Sequence, residues 1–244
     1  MLYRGRRLGA RFATTQWSQV LAARDGSDTR AQEALTGLCE TYWFPLYSYI
    51  RSRGHEPDDA RDLTQAFFAN LLEKDILEEV EPSAGRFRSF LLASLKHFVA
   101  NERRRERALK RGGGMQSISL DCAEAEQRFR YETTTQASPD EVFEYRWAMT
   151  VLEQALTRLQ REWVDTGRGE QFDCLKPHLT GQEPRTPFRD VGVQLRMSEV
   201  SARGAMYRLR QRFGQLIRAE VAETVADSEK IDDEVRHLLD ILGR

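Results

Sequence analysis

The chain has 244 residues, with 37 Lys or Arg against 38 Asp or Glu, so its formal net charge of -1 indicates no particular partner. Charged residues make up 31% of the chain, and no apolar run approaches the roughly 20 residues of a membrane-spanning helix. The Arg-rich N-terminus lacks the apolar core of a secretory signal. The sequence therefore predicts a cytoplasmic protein without a membrane span.

Signatures of catalysis and metal binding are missing from the sequence. It contains no P-loop lysine motif, no nucleophile elbow and no HExxH motif, and its three cysteines are too far apart for a disulfide framework or a metal clip. The spacing of Glu234 and His237 occurs in di-metal helical bundles, but a second copy is absent. We therefore predict no enzymatic activity, no metal site and no cofactor.

Charge is strongly segregated along the chain. Residues 56–81 carry nine acidic side chains against two basic ones, and residues 86–111 carry nine basic side chains against two acidic ones. Residues 196–218 hold six arginines and one acid, whereas residues 219–244 hold eight acids. This pattern predicts two anion-binding surfaces and two acidic ones.

Helical periodicity predicts an all-α fold. A buried face is indicated by apolar residues at steps of three and four in the second predicted helix, namely Leu35, Leu38, Tyr42, Leu46, Tyr49 and Ile50. In the N-terminal half we predict helices over residues 14–25, 27–53, 57–72 and 88–110. In the C-terminal half we predict them over residues 140–160, 171–179, 187–195 and 198–218.

A polar, glycine-rich stretch separates the two sets of helices. Gly112 to Gly114 end the first set, and three consecutive threonines follow before Pro139. We therefore predict two helical domains joined by a flexible linker, with the bounds 1–112 for the first domain, 113–138 for the linker, 139–219 for the second domain and 220–244 for an acidic C-terminal extension.

Residues 187–213 have the layout of a helix-turn-helix. In its second helix, Ala202, Met206, Leu209 and Phe213 form a buried stripe, and a basic face lies elsewhere on the helix. An arginine-bearing helix fits the major groove of DNA, where arginine bonds guanine edges and phosphates. The earlier basic block, residues 88–110, joins aromatic and amide side chains to a cationic run, a combination that suits unstacked bases.

Three segments resemble bacterial RNA polymerase sigma factors of the sigma-70 superfamily, specifically the extracytoplasmic-function type. DDARDLTQAFFANLL, residues 58–72, is similar to region 2.2. Residues 85–111 are similar to regions 2.3 and 2.4, and FRDVGVQLRMSEVSARGAMYRLRQR, residues 188–212, is similar to region 4.2. The resemblance implies a sigma region 2-like bundle, a region 4-like helix-turn-helix, and promotion of transcription initiation.

Partners and contact residues follow from the resemblance. It implies that core RNA polymerase binds through its clamp helices to Asp59, Asp62, Leu63, Thr64, Gln65, Phe67 and Phe68, and through its flap to the second domain. For promoter DNA, it implies that the melted -10 element meets Phe90, Lys96, His97, Asn101, Arg103, Arg104, Arg105 and Arg107. It implies that the -35 element is read by Ser201, Arg203, Gly204, Tyr207, Arg208 and Arg210. The sequence does not decide whether an anti-sigma factor also binds.

Several positions depart from the family pattern. Phe90 stands where tryptophan is common, His97 where asparagine is common, and Arg196 replaces the turn glycine, which requires either a negative φ or modest strain. The acidic residues 221–244 have two interpretations: a segment that masks the basic helix, or, as we favour, a packing helix formed by Ile231, Val235, Leu238 and Leu239.

Two other functions stay open. A helix-turn-helix regulator would bind palindromic duplex operators without polymerase, and residues 1–160 would then sense a ligand or dimerise. A helical metal-dependent hydrolase would require His and carboxylate side chains that converge across helices, and we expect none.

Overall fold

The computed structural model of the chain describes residues 29–73, 86–108, 125–129, 137–181, 186–225 and 228–243. Within these ranges no strand occurs, and a single backbone bridge pairs Arg86 with Val225. The longer helices are α1 (Thr29–Ser52), α2 (Pro57–Glu73), α3 (Phe87–Ala108), α4 (Pro139–Asp165), α5 (Gly169–Thr180), α6 (Phe188–Gln194), α7 (Glu199–Thr224) and α8 (Ile231–Leu242). The predicted all-helical class is confirmed for this part of the chain; the helix predicted over residues 14–25 lies outside it.

Helix α1 is buried on more than one side. Its predicted apolar stripe is confirmed at Tyr42, Leu46, Tyr49 and Ile50, but Tyr47 on another face is also fully buried. The reason is that α1 packs between α2 and α4, and its contact with α4 is the most extensive helix pair in the described structure. A single amphipathic stripe therefore underestimates how much of α1 lies in the core.

Helix α4 is the central element. It begins at a capping box, in which the Ser138 backbone N–H donates to Glu141 Oε2 at 2.8 Å and Ser138 Oγ accepts from the Glu141 N–H at 3.3 Å. From this fixed start, α4 contacts α1, α5, α7 and α8. Its core face carries Phe143, Trp147, Val151, Ala155 and Leu159, at steps of four.

The two sets of predicted helices share one buried cluster, because α1 and α4 pack together. Part of the predicted linker, residues 125–129, is helical. Its Glu126 accepts hydrogen bonds from the Tyr47 hydroxyl at 2.9 Å and from Nε and Nη2 of Arg51 at 2.9 and 2.8 Å. The predicted domain bounds stay a prediction.

The C-terminal helix α8 lies against α4 and α7. Leu238 is fully buried, Ile231 and Val235 are partly buried, and Leu239 is exposed. Helix α7 continues to Thr224, six residues beyond its predicted end at Arg218, because Val221 and Thr224 are buried in the same core. The predicted C-terminal extension therefore begins inside a helix of the core.

Candidate nucleic-acid interface

Helices α6 and α7 meet at a close turn that depends on Gly192. The Met197 N–H donates to the Gly192 carbonyl at 2.8 Å, and a Cβ atom on Gly192 would lie 2.8 Å from the Met197 carbonyl oxygen. No side chain fits in that gap without a shift of the backbone. The residue type at this position therefore sets how closely the two helices approach.

The turn itself contains a strained residue. Arg196 has φ 53, the left-handed region that favours glycine. From the sequence, a non-glycine residue here requires either a negative φ or modest strain. The structure shows the second case, a positive φ with strain. The geometry of the turn is thus maintained in spite of a local energetic cost.

Ser198 fixes the start of α7. Its backbone is extended, its Oγ accepts a hydrogen bond from the Ser201 N–H at 3.1 Å, and the two serine hydroxyl oxygens are 2.9 Å apart. This is a normal N-cap arrangement, which stabilises a helix by about 1 kcal/mol. The first turn of α7, including the exposed Ser201, is consequently held in one conformation.

The two sides of α7 differ sharply. Ala202, Met206 and Leu209 are buried, as predicted, and Phe213 is partly buried. The opposite side is exposed at Arg203, Tyr207, Arg208 and Arg210, with Gly204 partly buried between them. The structure therefore brings the residues predicted to read the -35 element together on one surface.

Arg203 is oriented by two residues that the sequence reasoning missed. Its guanidinium donates to Glu199 Oε1 at 3.1 and 2.8 Å, and its Cζ lies 4.9 Å from the centre of the Phe188 ring. Phe188 in turn stacks on His178, with 4.4 Å between the ring centres. The four-residue spacing of Glu199 and Arg203 is a sequence signal for such a pair, whereas the contact with Phe188 has no local signal.

Two other arginines of α7 have internal partners. Arg210 donates to the His178 carbonyl at 3.3 Å, and Arg212 makes two hydrogen bonds to the Glu162 carboxylate, at 2.7 and 2.6 Å. The hydrogen bonds from Arg212 and its charge lower the pKa of Glu162. Arg212 therefore ties α7 to α4, whereas Arg208 is exposed.

The predicted -10 residues fall on two neighbouring faces of α3. His97, Asn101 and Arg104 are exposed at steps of four and three, with Arg104 donating to Asn101 Oδ1 at 3.5 Å, and Phe90 is partly buried on the same stripe. The side chains of Arg105 and Arg107 lie outside the described residues. This stripe is an open polar and cationic surface.

Lys96 and Arg103, seven residues apart on the adjacent face, contact residues outside α3: one at the start of α4 and one in the loop before α2. Lys96 Nζ lies 2.6 Å from an oxygen of Asp140, at the start of α4. A guanidinium nitrogen of Arg103 lies 2.9 Å from His55 Nε2, in the loop before α2. In this conformation both cations therefore contribute to packing between helices as well as to the surface charge.

The predicted polymerase-binding residues are divided between the surface and the core. Asp59 and Asp62 are exposed, and Leu63 and Gln65 are partly buried. Thr64, Phe67 and Phe68 are buried, because Ala60, Thr64, Phe67 and Leu71 form the face of α2 that packs into the core. In this conformation the accessible members of the predicted set are therefore Asp59 and Asp62, with Leu63 and Gln65 partly accessible beside them.

The acidic C-terminal helix α8 lies away from the exposed face of α7. Its carboxylates pair with Arg218, near the end of α7, with Arg88, in the first turn of α3, and with Arg86, just before α3, while His237 lies 3.4 Å from Glu144 of α4. Tyr207 remains 65% exposed with α8 in place. The masking interpretation of residues 221–244 is therefore not what this conformation shows.

Glu234, which the sequence paired by spacing with His237, is buried against arginine. In the described ranges no group of three or more His, Cys, Asp or Glu side chains is placed to hold a metal ion. None of the helices in those ranges combines the length and apolarity needed to cross a bilayer.

Comparison of the chain with protein-family models, with curated proteins and with solved structures finds no match. The exposed surfaces of α7 and α3 and the resemblance of the three sequence segments are therefore the features that indicate a function.

Proposed function

We propose that this chain is a promoter-recognition factor of the sigma type, which binds core RNA polymerase and directs it to -35 and -10 elements. The observation that carries the proposal is the exposed face of α7, where Arg203, Tyr207 and Arg208 project from a capped helix behind a close turn. A helix presented in this way fits the major groove, where its N-terminal residues contact base edges.

The α7 face supports duplex recognition in a specific way. Because Glu199 and Phe188 hold the Arg203 guanidinium, less side-chain entropy is lost when it bonds a base. A bidentate arginine contact to guanine discriminates against other bases by about 1–3 kcal/mol. Arg208, which extends from the same helix, is suited to a phosphate.

The α3 face supports a second contact, with opened strand. His97, Asn101 and Arg104 form an exposed stripe of ring, amide and guanidinium groups, next to Phe90. Such groups stack on unpaired bases and hold the backbone. Capture of an unstacked base recovers part of the few kcal/mol that strand opening costs per base. Two nucleic-acid surfaces on one chain favour a promoter-opening factor over a simple duplex binder.

One observation favours the second candidate, a helix-turn-helix regulator that acts without polymerase. Thr64, Phe67 and Phe68 are buried here, which leaves a smaller surface for polymerase than the resemblance implies. A sigma factor requires polymerase for promoter binding, whereas such a regulator binds duplex operators alone. The two candidates therefore differ in a property that can be measured directly.

The test is transcription in vitro with core polymerase and a library of genomic fragments, together with co-purification of the chain and core polymerase. We expect a stable complex and transcripts that share upstream sequence elements. Charge reversal at the exposed Asp62 should abolish co-purification, while Asp240→Lys, the same kind of change at an exposed residue of α8 outside the two predicted domains, should not. Failure to bind core polymerase, with tight binding of palindromic duplex by the chain alone, would establish the regulator instead.

A further inference from the structure

Val200 is an apolar side chain in an unusual place. It is the second residue of α7 and is 79% exposed, more than any other large hydrophobic residue of the described structure. Its backbone position is fixed by the Ser198 cap, because Ser198 Oγ accepts a hydrogen bond from the N–H of Ser201, the residue after Val200. A β-branched side chain in a helix also strongly prefers one rotamer. Val200 therefore presents two methyl groups to the exterior in a defined direction.

The direction is that of the proposed base-reading face. Arg203, Gly204 and Tyr207 follow Val200 by three, four and seven residues, the spacing of one helix face. Ala202, Met206 and Leu209 lie on the other side, buried in the core. Val200 is thus the N-terminal end of the same stripe, and Gly204, at the middle of the stripe, adds no side chain that would keep DNA at a distance.

A single exposed apolar residue usually needs no explanation. Here, however, Val200 and Tyr207, two of the largest exposed apolar surfaces in the described structure, occupy the face on which arginine is also oriented. The major groove offers an apolar partner at this depth, the 5-methyl group of thymine, which apolar side chains contact. It is the only methyl group on the base edges of that groove.

We propose that Val200 reads a thymine through its 5-methyl group, in a base pair beside the one that Arg203 contacts. The assignment rests on the proposed duplex-reading role of α7. Three residues of helix advance about 4.5 Å, which is comparable to the rise of about 3.4 Å per base pair, so neighbouring pairs are within reach of the two side chains. The recognised element then contains a thymine next to the guanine bound by Arg203.

The experiment removes the methyl group of thymine and the two methyl groups of Val200 in turn. The -35 element, or the operator if the chain binds duplex alone, is first defined by selection. Each thymine in it is then replaced singly by deoxyuridine, which lacks only the 5-methyl group. The affinity for each duplex is then measured by competition, with the full chain bound to core polymerase or with the chain alone. Three proteins are compared: wild type, Val200→Ala and Val193→Ala.

We expect wild-type protein to lose about fourfold in affinity at one thymine position, the effect of exposing about one methyl group. Val200→Ala should bind the unmodified duplex about fourfold more weakly and should be indifferent to deoxyuridine at that position. Val193→Ala is the matched control, because Val193 is 75% exposed but lies on α6. It should keep the full response to deoxyuridine.

Several results would overturn the assignment. They are a recognised element without thymine, a response to deoxyuridine that Val200→Ala retains, or no response at any position. An equal loss of binding by Val200→Ala on all duplexes, including the deoxyuridine ones, together with an unchanged deoxyuridine response, would mean that Val200 contacts protein and not the thymine methyl group. A chain that shows no sequence-specific binding at all, with or without polymerase, would instead overturn the proposed function, and this assignment with it.

Discussion

Arg88, in the first turn of α3, and Glu234, in the first turn of α8, form an ion pair in which the two side chains are only 2% and 1% exposed. Arg88 also lies 2.7 Å from Glu144 and stacks over Trp147, with its Cζ 4.4 Å from the ring centre. The pair thus joins the start of the proposed -10 helix, the central helix α4 and the C-terminal helix at one buried point.

Replacement of Arg88 by Met should destabilise the fold by about 3 kcal/mol, because it leaves the buried Glu234 carboxylate with only the half-exposed Arg86 as a partner. Replacement of both residues, as Arg88→Met with Glu234→Leu, should recover part of this loss, since no fully buried carboxylate is then left without its arginine and only the partly exposed Glu144 has lost a partner. Urea unfolding of the two variants and the wild-type chain measures the difference. Equal destabilisation of the single and double variants would contradict this account.

Arg196→Gly should stabilise the chain by about 1 kcal/mol, because a non-glycine residue at a positive φ is strained. Arg196→Ala is the control: it removes the guanidinium but keeps the strain, so it should give no comparable gain. Thermal unfolding of both variants separates the backbone effect from the charge effect. A gain of the same size in both would assign the effect to the charge of Arg196.

Gly192→Ala should cost about 1–3 kcal/mol, since the added Cβ would lie 2.8 Å from the Met197 carbonyl oxygen and the turn would have to open. We expect it to weaken promoter binding as well, because the orientation of α7 depends on this turn. Unfolding and promoter binding are measured on the same preparation. Retention of full stability would mean that the α6–α7 turn adapts without cost.

Local patterns in the sequence predict the long described helices approximately, and they predict the exposed surface of α7, but they miss the helical residues 125–129 and the last six residues of α7. The steps of three and four around Ala202, Met206 and Leu209 predict which side of α7 is buried. The arginines lie on the remaining side, so their exposure is predicted as well. Helix α2 is different, because apolar residues occur on several of its sides. Only packing against other helices decides that Phe67 and Phe68 face the core, and a local pattern does not contain that information.

Ion pairs between residues far apart in the sequence are the second feature that local patterns do not predict. Lys96 with Asp140 and Arg88 with Glu234 are 44 and 146 residues apart, and no spacing rule connects them. For the acidic C-terminal block the sequence allows a masking segment or, as favoured, a packing helix, but it does not predict that one of its carboxylates, Glu234, is buried in the core. Charge blocks predict surfaces well only where no distant helix supplies the opposite charge.

The ion pair between Glu162 and Arg212 should make stability depend on pH in a defined direction. Arg212 lowers the pKa of Glu162 in the folded chain, so the contribution is fully present above the unfolded pKa of about 4.3 and is lost as pH falls through the lower folded value. Both side chains are about one-third exposed, so the contribution at neutral pH should not exceed about 1 kcal/mol. The difference in unfolding free energy between wild type and Glu162→Gln should therefore shrink between pH 7 and pH 3. A constant difference across that range would exclude the ion pair as its source.

Gly204→Ala should separate stability from DNA recognition. A Cβ on Gly204 would meet only a guanidinium nitrogen of Arg208, at 3.6 Å, so the fold accommodates it, and alanine in place of glycine inside a helix stabilises by about 0.5–1 kcal/mol. The same methyl group lies in the middle of the base-reading face, where it should weaken promoter binding by about 1–3 kcal/mol. Gly214→Ala is the matched control, because nothing lies within 4 Å of its added Cβ; we expect the same gain in stability with unchanged promoter binding. If Gly204→Ala is more stable and binds promoter as well as Gly214→Ala does, this face of α7 does not approach DNA closely.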